Sequence, residues 1–183
     1  EIGETTYLLD SNEGDNCLHG GTQGFQSQIW DVVSYNDDMI EMTYRSEHLE
    51  SGFPGNMQVN VKYALRGSDL SIEYTANTDE TTPFNPSNHC YFNLDGADNG
   101  SILDHTLTIN AEYFTPLRSD MIPTGKLELV SGTPFDFSKF KRIGSDMNLS
   151  NDQLSIGNGY DHNFVLNETP KNADGLVLVA KVT

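Results

Sequence analysis

Hydrophobic and polar residues alternate along much of this chain. In Met57-Gln58-Val59-Asn60-Val61-Lys62-Tyr63-Ala64-Leu65 the odd positions are apolar, and in Leu70-Ser71-Ile72-Glu73-Tyr74-Thr75-Ala76 the even ones are. A period of two puts each set on one face of a sheet. The short polar connection Arg66-Gly67-Ser68-Asp69 between them predicts a β-hairpin with one buried face. Ile40, Met42 and Tyr44 alternate with Glu41 and Thr43, and Leu107 and Ile109 alternate with Thr106, Thr108 and Asn110. Leu176-Val177-Leu178-Val179-Ala180 is apolar almost throughout, which predicts a strand buried on both faces. The polar residues 145–158 predict a surface loop. No long stretch has apolar residues at helical spacing. Turn residues punctuate the chain, as in Phe53-Pro54-Gly55-Asn56 and Ile122-Pro123-Thr124-Gly125. Many short strands with such turns predict an all-β, antiparallel sandwich or barrel. The 183 residues suit one domain with an ample core, without internal repeat or linker. A domain ending directly after the apolar run would leave a hydrophobic strand as its terminus, so further chain is expected beyond Thr183.

Composition narrows the partners. At 36% hydrophobic and 20% charged residues the chain reads as soluble and globular. No run approaches the ~18 apolar residues of a membrane span. With 10 basic and 27 acidic residues the net charge is −17, which argues against nucleic acid and against an anionic membrane surface. A neutral ligand fits this charge, as does simple solubility. Cys17 and Cys90 make no disulfide scaffold. Two reduced thiols are the default reading, with a single bridge possible in an oxidising compartment, and the cytoplasm is the expected location. A periplasmic or secreted location stays open, because the sequence can begin after a cleavage site.

Five histidines are present, and a lone histidine in a strand is usually structural. Two stand apart through their surroundings. In Leu18-His19-Gly20-Gly21 the paired glycines would let a ligand approach the backbone, although an ordinary turn has the same composition. Asn88-His89-Cys90-Tyr91-Phe92-Asn93-Leu94 reads as a strand-like segment. Alternation would send His89, Tyr91 and Asn93 to one side, so it is either a binding strand or a core strand. In Gly159-Tyr160-Asp161-His162-Asn163-Phe164, Asp161 could accept hydrogen bonds from hydroxyl groups or serve as a turn carboxylate. A metal site from Cys17, His19, His89 and Cys90 matches no standard zinc spacing, so no metal is expected.

Taken in order, these segments resemble the aldose 1-epimerase (galactose mutarotase) family. Leu18-His19-Gly20-Gly21 is followed by Gly24-Phe25 and Trp30, then by the segment 88–94, then by residues 159–164. Between them, Gly52-Phe53-Pro54-Gly55-Asn56, Tyr74-Thr75-Ala76-Asn77-Thr78-Asp79, Tyr113-Phe114-Thr115-Pro116 and Gly132-Thr133-Pro134-Phe135-Asp136-Phe137 are similar too. The resemblance implies a large antiparallel β-sandwich, here incomplete, and an enzyme that interconverts the α and β anomers of free hexoses such as galactose or glucose. It implies that His89 is the general acid facing the ring oxygen. His19 would hold the substrate, Asp161 would accept its hydroxyls, and Tyr91 would line the site. It implies no cofactor. Pro86-Ser87 stands where Leu-Thr is more usual. The family's Asn-Arg segment is expected before Glu1, and its glutamate base beyond Thr183.

Mutarotation needs a base for the anomeric hydroxyl proton and an acid for the ring oxygen. The ring opens, the aldehyde turns, and the ring closes on the other carbonyl face. An imidazole suits the acid role, since its ordinary pKa of ~6.5 lies near working pH. Lacking its base, the chain by itself would be impaired. Its open apolar edges would invite a neighbouring copy, as in a homodimer, or a separate chain. Two readings compete. One is a carbohydrate-binding module, against which Trp30 is the only tryptophan available for stacking. The other is a glycosidase, which needs a pair of carboxylates.

Overall fold

The computed structural model describes residues 1–147 and 150–183. They divide into two compact units, Glu1–His89 and Cys90–Thr183. In the first unit the alternating segments form a four-stranded antiparallel meander: β1 (Asp31–Asn36), β2 (Met39–Ser46), β3 (Met57–Arg66) and β4 (Asp69–Thr78). The predicted hairpin is β3–β4, paired without interruption from Met57↔Thr78 to Arg66↔Asp69. Its turn, Gly67-Ser68, has Gly67 at φ +63°, the glycine-first arrangement that matches the twist of the flanking strands. Met57, Val59 and Val61 are buried on one face. Each such side chain contributes roughly 1.5–3 kcal/mol when fully removed from water. Across the ladders Val59 meets Tyr44 and Ala76, and Val61 meets Met42 and Tyr74. The buried face does not reach the hairpin tip, where the paired Leu65 and Leu70 are exposed. At the other end, Phe25, Trp30 and Tyr44 pack mutually, and the Trp30 indole N–H donates to the Phe25 carbonyl at 3.0 Å. Strand β1 shifts register between Val32 and Ser34.

The second unit has two small antiparallel sheets. One has β5 (Thr106–Ile109) between β8 (Lys141–Arg142) and β10 (Ala180–Val182). The other has β6 (Ala111–Phe114) between β7 (Glu128–Leu129) and β9 (Phe164–Leu166). Its core is aromatic. Phe114 stacks on Phe135 with ring centroids 4.4 Å apart, and Val130, Leu154, Tyr160 and Phe164 pack around them.

Two expectations are corrected here. Residues 176–180 are not a strand buried on both faces. Leu176 and Leu178 are exposed, and only Ala180–Val182 join a ladder. The physical reason is the partner's length. Ala180 already faces Ile109, the last residue of β5, and Asn110 N–H donates to the Val179 carbonyl where the chain leaves for β6. Residues 176–178 lie beyond that end. Nor is 145–158 only a surface loop. It contains a short helix, α1 (Asp152–Ile156), whose Leu154 is fully buried. The Asn151 side chain accepts from the N–H groups of Gln153 and Leu154, which caps the helix. One buried leucine in five residues leaves no helical period to read. Asn148 and Leu149 of that stretch lie outside the described residues.

Candidate functional site

The His19 turn is built from three consecutive residues in the left-handed region: His19 at φ +53°, Gly20 at +83° and Gly21 at +86°. Asn12 holds its start. The Asn12 carboxamide accepts from Leu18 N–H at 2.7 Å and donates to the Leu18 carbonyl at 3.0 Å. Asp10 holds its end by accepting from Thr22 N–H at 2.6 Å, and bonding to Thr22 keeps its carboxyl below the usual range. The glycines have a use the sequence alone leaves open. A Cβ at Gly21 would stand 2.8 Å from the Asp10 Cβ, and one at Gly24 would stand 2.3 Å from the His19 carbonyl oxygen. They admit the protein's own groups and leave His19 exposed. Behind the turn, burial first and then Asp10 push the Cys17 thiol above its ordinary pKa.

The segment 88–94 belongs to no ladder, and its last residue, Leu94, opens a turn. Side chains take the place of a neighbouring strand. The Asn88 amide donates to the Tyr63 hydroxyl at 3.3 Å. Further along, Leu94 N–H donates to Nε2 of His105 at 2.9 Å, and the Asn93 amide donates to the Gly100 carbonyl at 3.3 Å. His89 is exposed, and Tyr91 has 90% of its surface open to solvent.

Asp161 is also exposed, at the end of a turn in which Gly159 has φ +131°. Its neighbour His162 is anchored. The His162 ring lies edge-on to Phe135 and Phe114, with centroids 4.5 and 5.7 Å away. Its Nε2 lies 3.1 Å from Oε1 of Gln153. That oxygen also accepts from Leu117 N–H at 2.7 Å, while the Gln153 amide donates back to the Leu117 carbonyl at 3.1 Å. An amide oxygen only accepts, so the arrangement places a proton on Nε2. Burial lowers the His162 pKa, opposed by the charge of Asp161.

His19 and His89 thus belong to the first unit, and Tyr91 and Asp161 to the second; the division falls between His89 and Cys90. An open concavity of about 730 Å³ in the first unit is lined by residues of 6–10 and 48–52. It contains none of the four expected residues, although Asp10 is common to it and the His19 turn. Among the described residues no three His, Cys, Asp or Glu side chains are placed to hold one metal ion. No helix among them is long and apolar enough to cross a membrane. Sequence reasoning missed His105 and Gln153. His105 is a solitary histidine beside a strand, and Gln153 lies in a polar stretch, so neither carries a pattern.

Antiparallel sheets joined by turns, with almost no helix, define an all-β protein of the sugar-epimerase fold. A galactose 1-epimerase structure from Lactobacillus acidophilus matches all of this chain and 53% of its own, with a TM-score of 0.84 and 33% identity. The aldose 1-epimerase family model matches residues 1–182, and the chain belongs to that family. It is similar to galactose mutarotase of Sus scrofa, 41% identical over 160 residues, covering 87% of this chain and 45% of that one. It is similar also to aldose 1-epimerase of Escherichia coli (strain K12), 39% identical over 162 residues, covering 88% and 46%. The chain therefore spans about half the length of these curated relatives.

Proposed function

We propose that this chain carries the acid side of an aldose 1-epimerase acting on free hexoses such as galactose or glucose. The family match over residues 1–182 is the observation that carries this reading. His89 protonates the ring oxygen as the ring opens and recovers the proton on closure. His19 and Asp161 hold sugar hydroxyls, and Tyr91 is a further substrate-binding residue. The exposure of all four side chains supports it, since a soluble sugar must reach them. The anchored Gln153–His162 pair behind Asp161 supports a fixed carboxylate, the form that recognises hydroxyls with least ordering cost. The base is assigned outside these four residues, to the family's glutamate. A homodimer and a cytoplasmic location complete the reading.

Equilibration of freshly dissolved α-galactose, followed by polarimetry, tests the reaction. The protein carrying this segment should exceed the spontaneous rate and release no sugar from an aryl galactoside. Measurable sugar affinity with no anomer exchange would replace the enzyme by a binding module. Within the same assay Asp161→Ala should raise KM roughly tenfold and leave kcat within about a factor of three. A hydroxyl contact is felt equally in ground and transition states. A collapsed kcat at unchanged KM would give Asp161 a chemical role instead.

A further inference from the structure

The segment 88–94 poses a problem that its neighbours solve. It bears His89 and Tyr91, yet no strand pairs with it, so its course depends on side-chain contacts. Among the described residues of the second unit, His105 is the buried polar residue, with 6% of its surface exposed. Its Nε2 accepts the Leu94 N–H at 2.9 Å. Its own backbone is held on both sides. His105 N–H donates to the Ile102 carbonyl at 3.0 Å, and the His105 carbonyl accepts from Ile143 N–H at 2.9 Å. The next residue, Thr106, begins β5, which is paired on both edges. The ring is therefore mounted on a fixed frame.

We propose that His105 is a positioning residue for mutarotation: its neutral imidazole fixes the end of the segment that presents Tyr91. This rests on the functional reading above. An imidazole that accepts at Nε2 carries its proton on Nδ1, so the ring here is a hydrogen-bond acceptor rather than an acid. Tyr91 lies three residues before Leu94 and His89 five, about 10 and 17 Å of chain at full extension. Over the shorter tether, loss of the anchor displaces Tyr91. A displacement of about 1 Å at a reacting group can cost on the order of 10²-fold in rate.

The chemistry selects the variants. Glutamine can offer an amide oxygen near the position of Nε2. Leucine offers no acceptor, and asparagine is too short to reach. Amide exchange and anomer exchange are measured on the same samples. In the unsubstituted protein Leu94 N–H should exchange at least ~10-fold more slowly than an unstructured amide. His105→Leu and His105→Asn should abolish that protection and lower kcat by roughly tenfold or more, with the rate expressed per folded molecule. His105→Gln should restore both. A merely structural role would lower the melting temperature and leave kcat per folded molecule intact, which would overturn the proposal. An unprotected Leu94 in the unsubstituted protein would overturn it without any variant, so a misfolding His105→Leu does not shield it. Absence of anomer exchange in the unsubstituted protein that carries this segment together with the family's glutamate, the form in which kcat is read, would sink the functional reading instead. The Leu94 pattern would then still decide whether the clamp exists.

Discussion

In the protein that carries this segment together with the family's glutamate, replacing His89 by asparagine should lower kcat by ~10²-fold or more while changing galactose affinity little. Asparagine is close to imidazole in size and keeps a hydrogen-bonding amide, so contacts made in the ground state are largely retained. It cannot transfer a proton. Ring opening then leaves charge on the ring oxygen with no acid positioned to meet it, and proton-transfer groups of this kind typically contribute ~10²–10⁴-fold. The exposed position of His89 makes gross unfolding an improbable source of the loss. Steady-state kinetics with a separate measurement of sugar affinity separates the effects. A variant with near-normal kcat would remove His89 from the acid role, and a parallel loss of affinity would make it a binding group.

The 183-residue polypeptide, prepared by itself, should equilibrate α-galactose at close to the spontaneous rate. Mutarotation needs two proton transfers in opposite senses. With His89 as the proposed acid, His19 and Asp161 as the proposed hydroxyl contacts and the family's glutamate as the proposed base, the anomeric hydroxyl of this polypeptide would lose its proton only to bulk water. The missing transfer costs another ~10²–10⁴-fold. Polarimetry of a sample whose intact mass confirms 183 residues decides the matter. Rapid enzymatic equilibration would require a base inside the chain. The exposed carboxylates, Asp161 first among them, would then be searched by substitution.

Much of the fold was legible because alternation and turn chemistry act locally. The β3–β4 hairpin could be read from its alternation, since Met57, Val59 and Val61 face inward and Gly67 sits where the turn needs a positive φ, although Arg66 and Asp69 belong to the strands and Leu65 and Leu70 are exposed. The failures are places where a distant partner decides. Residues 176–180 carry strand composition, but β5 ends at Ile109 and leaves Leu176 and Leu178 without a ladder. The segment 88–94 also looks like a strand, yet its backbone is held by a side chain eleven residues beyond Leu94. Helix α1 depends on Asn151 and one buried leucine, too little for a periodic signal. Of the candidate site, the sequence supplies the residue types and their order as a proposal. The anchoring by Asp10, Gln153 and His105 could not be read, because each acts through a backbone group whose position the sequence does not encode locally.

The connections between paired strands differ sharply in length, and this sets an order of assembly. Within the meander, two residues join β1 to β2 and two join β3 to β4. Closing such loops costs little chain entropy, and hairpins form in about 1–10 μs. In the second unit, β5 must find β10, and the Thr106–Thr183 contact spans 77 positions. The β6–β9 sheet bridges a similar gulf, with Asn110 and Asn167 joined across 57. Non-local pairing of this kind is slow because the loop must close before any contact rewards it. A chain made from its N-terminus can therefore lay down the four-stranded meander while β10 is still unsynthesised. The frame that carries His105 waits for the last residues of the segment to arrive.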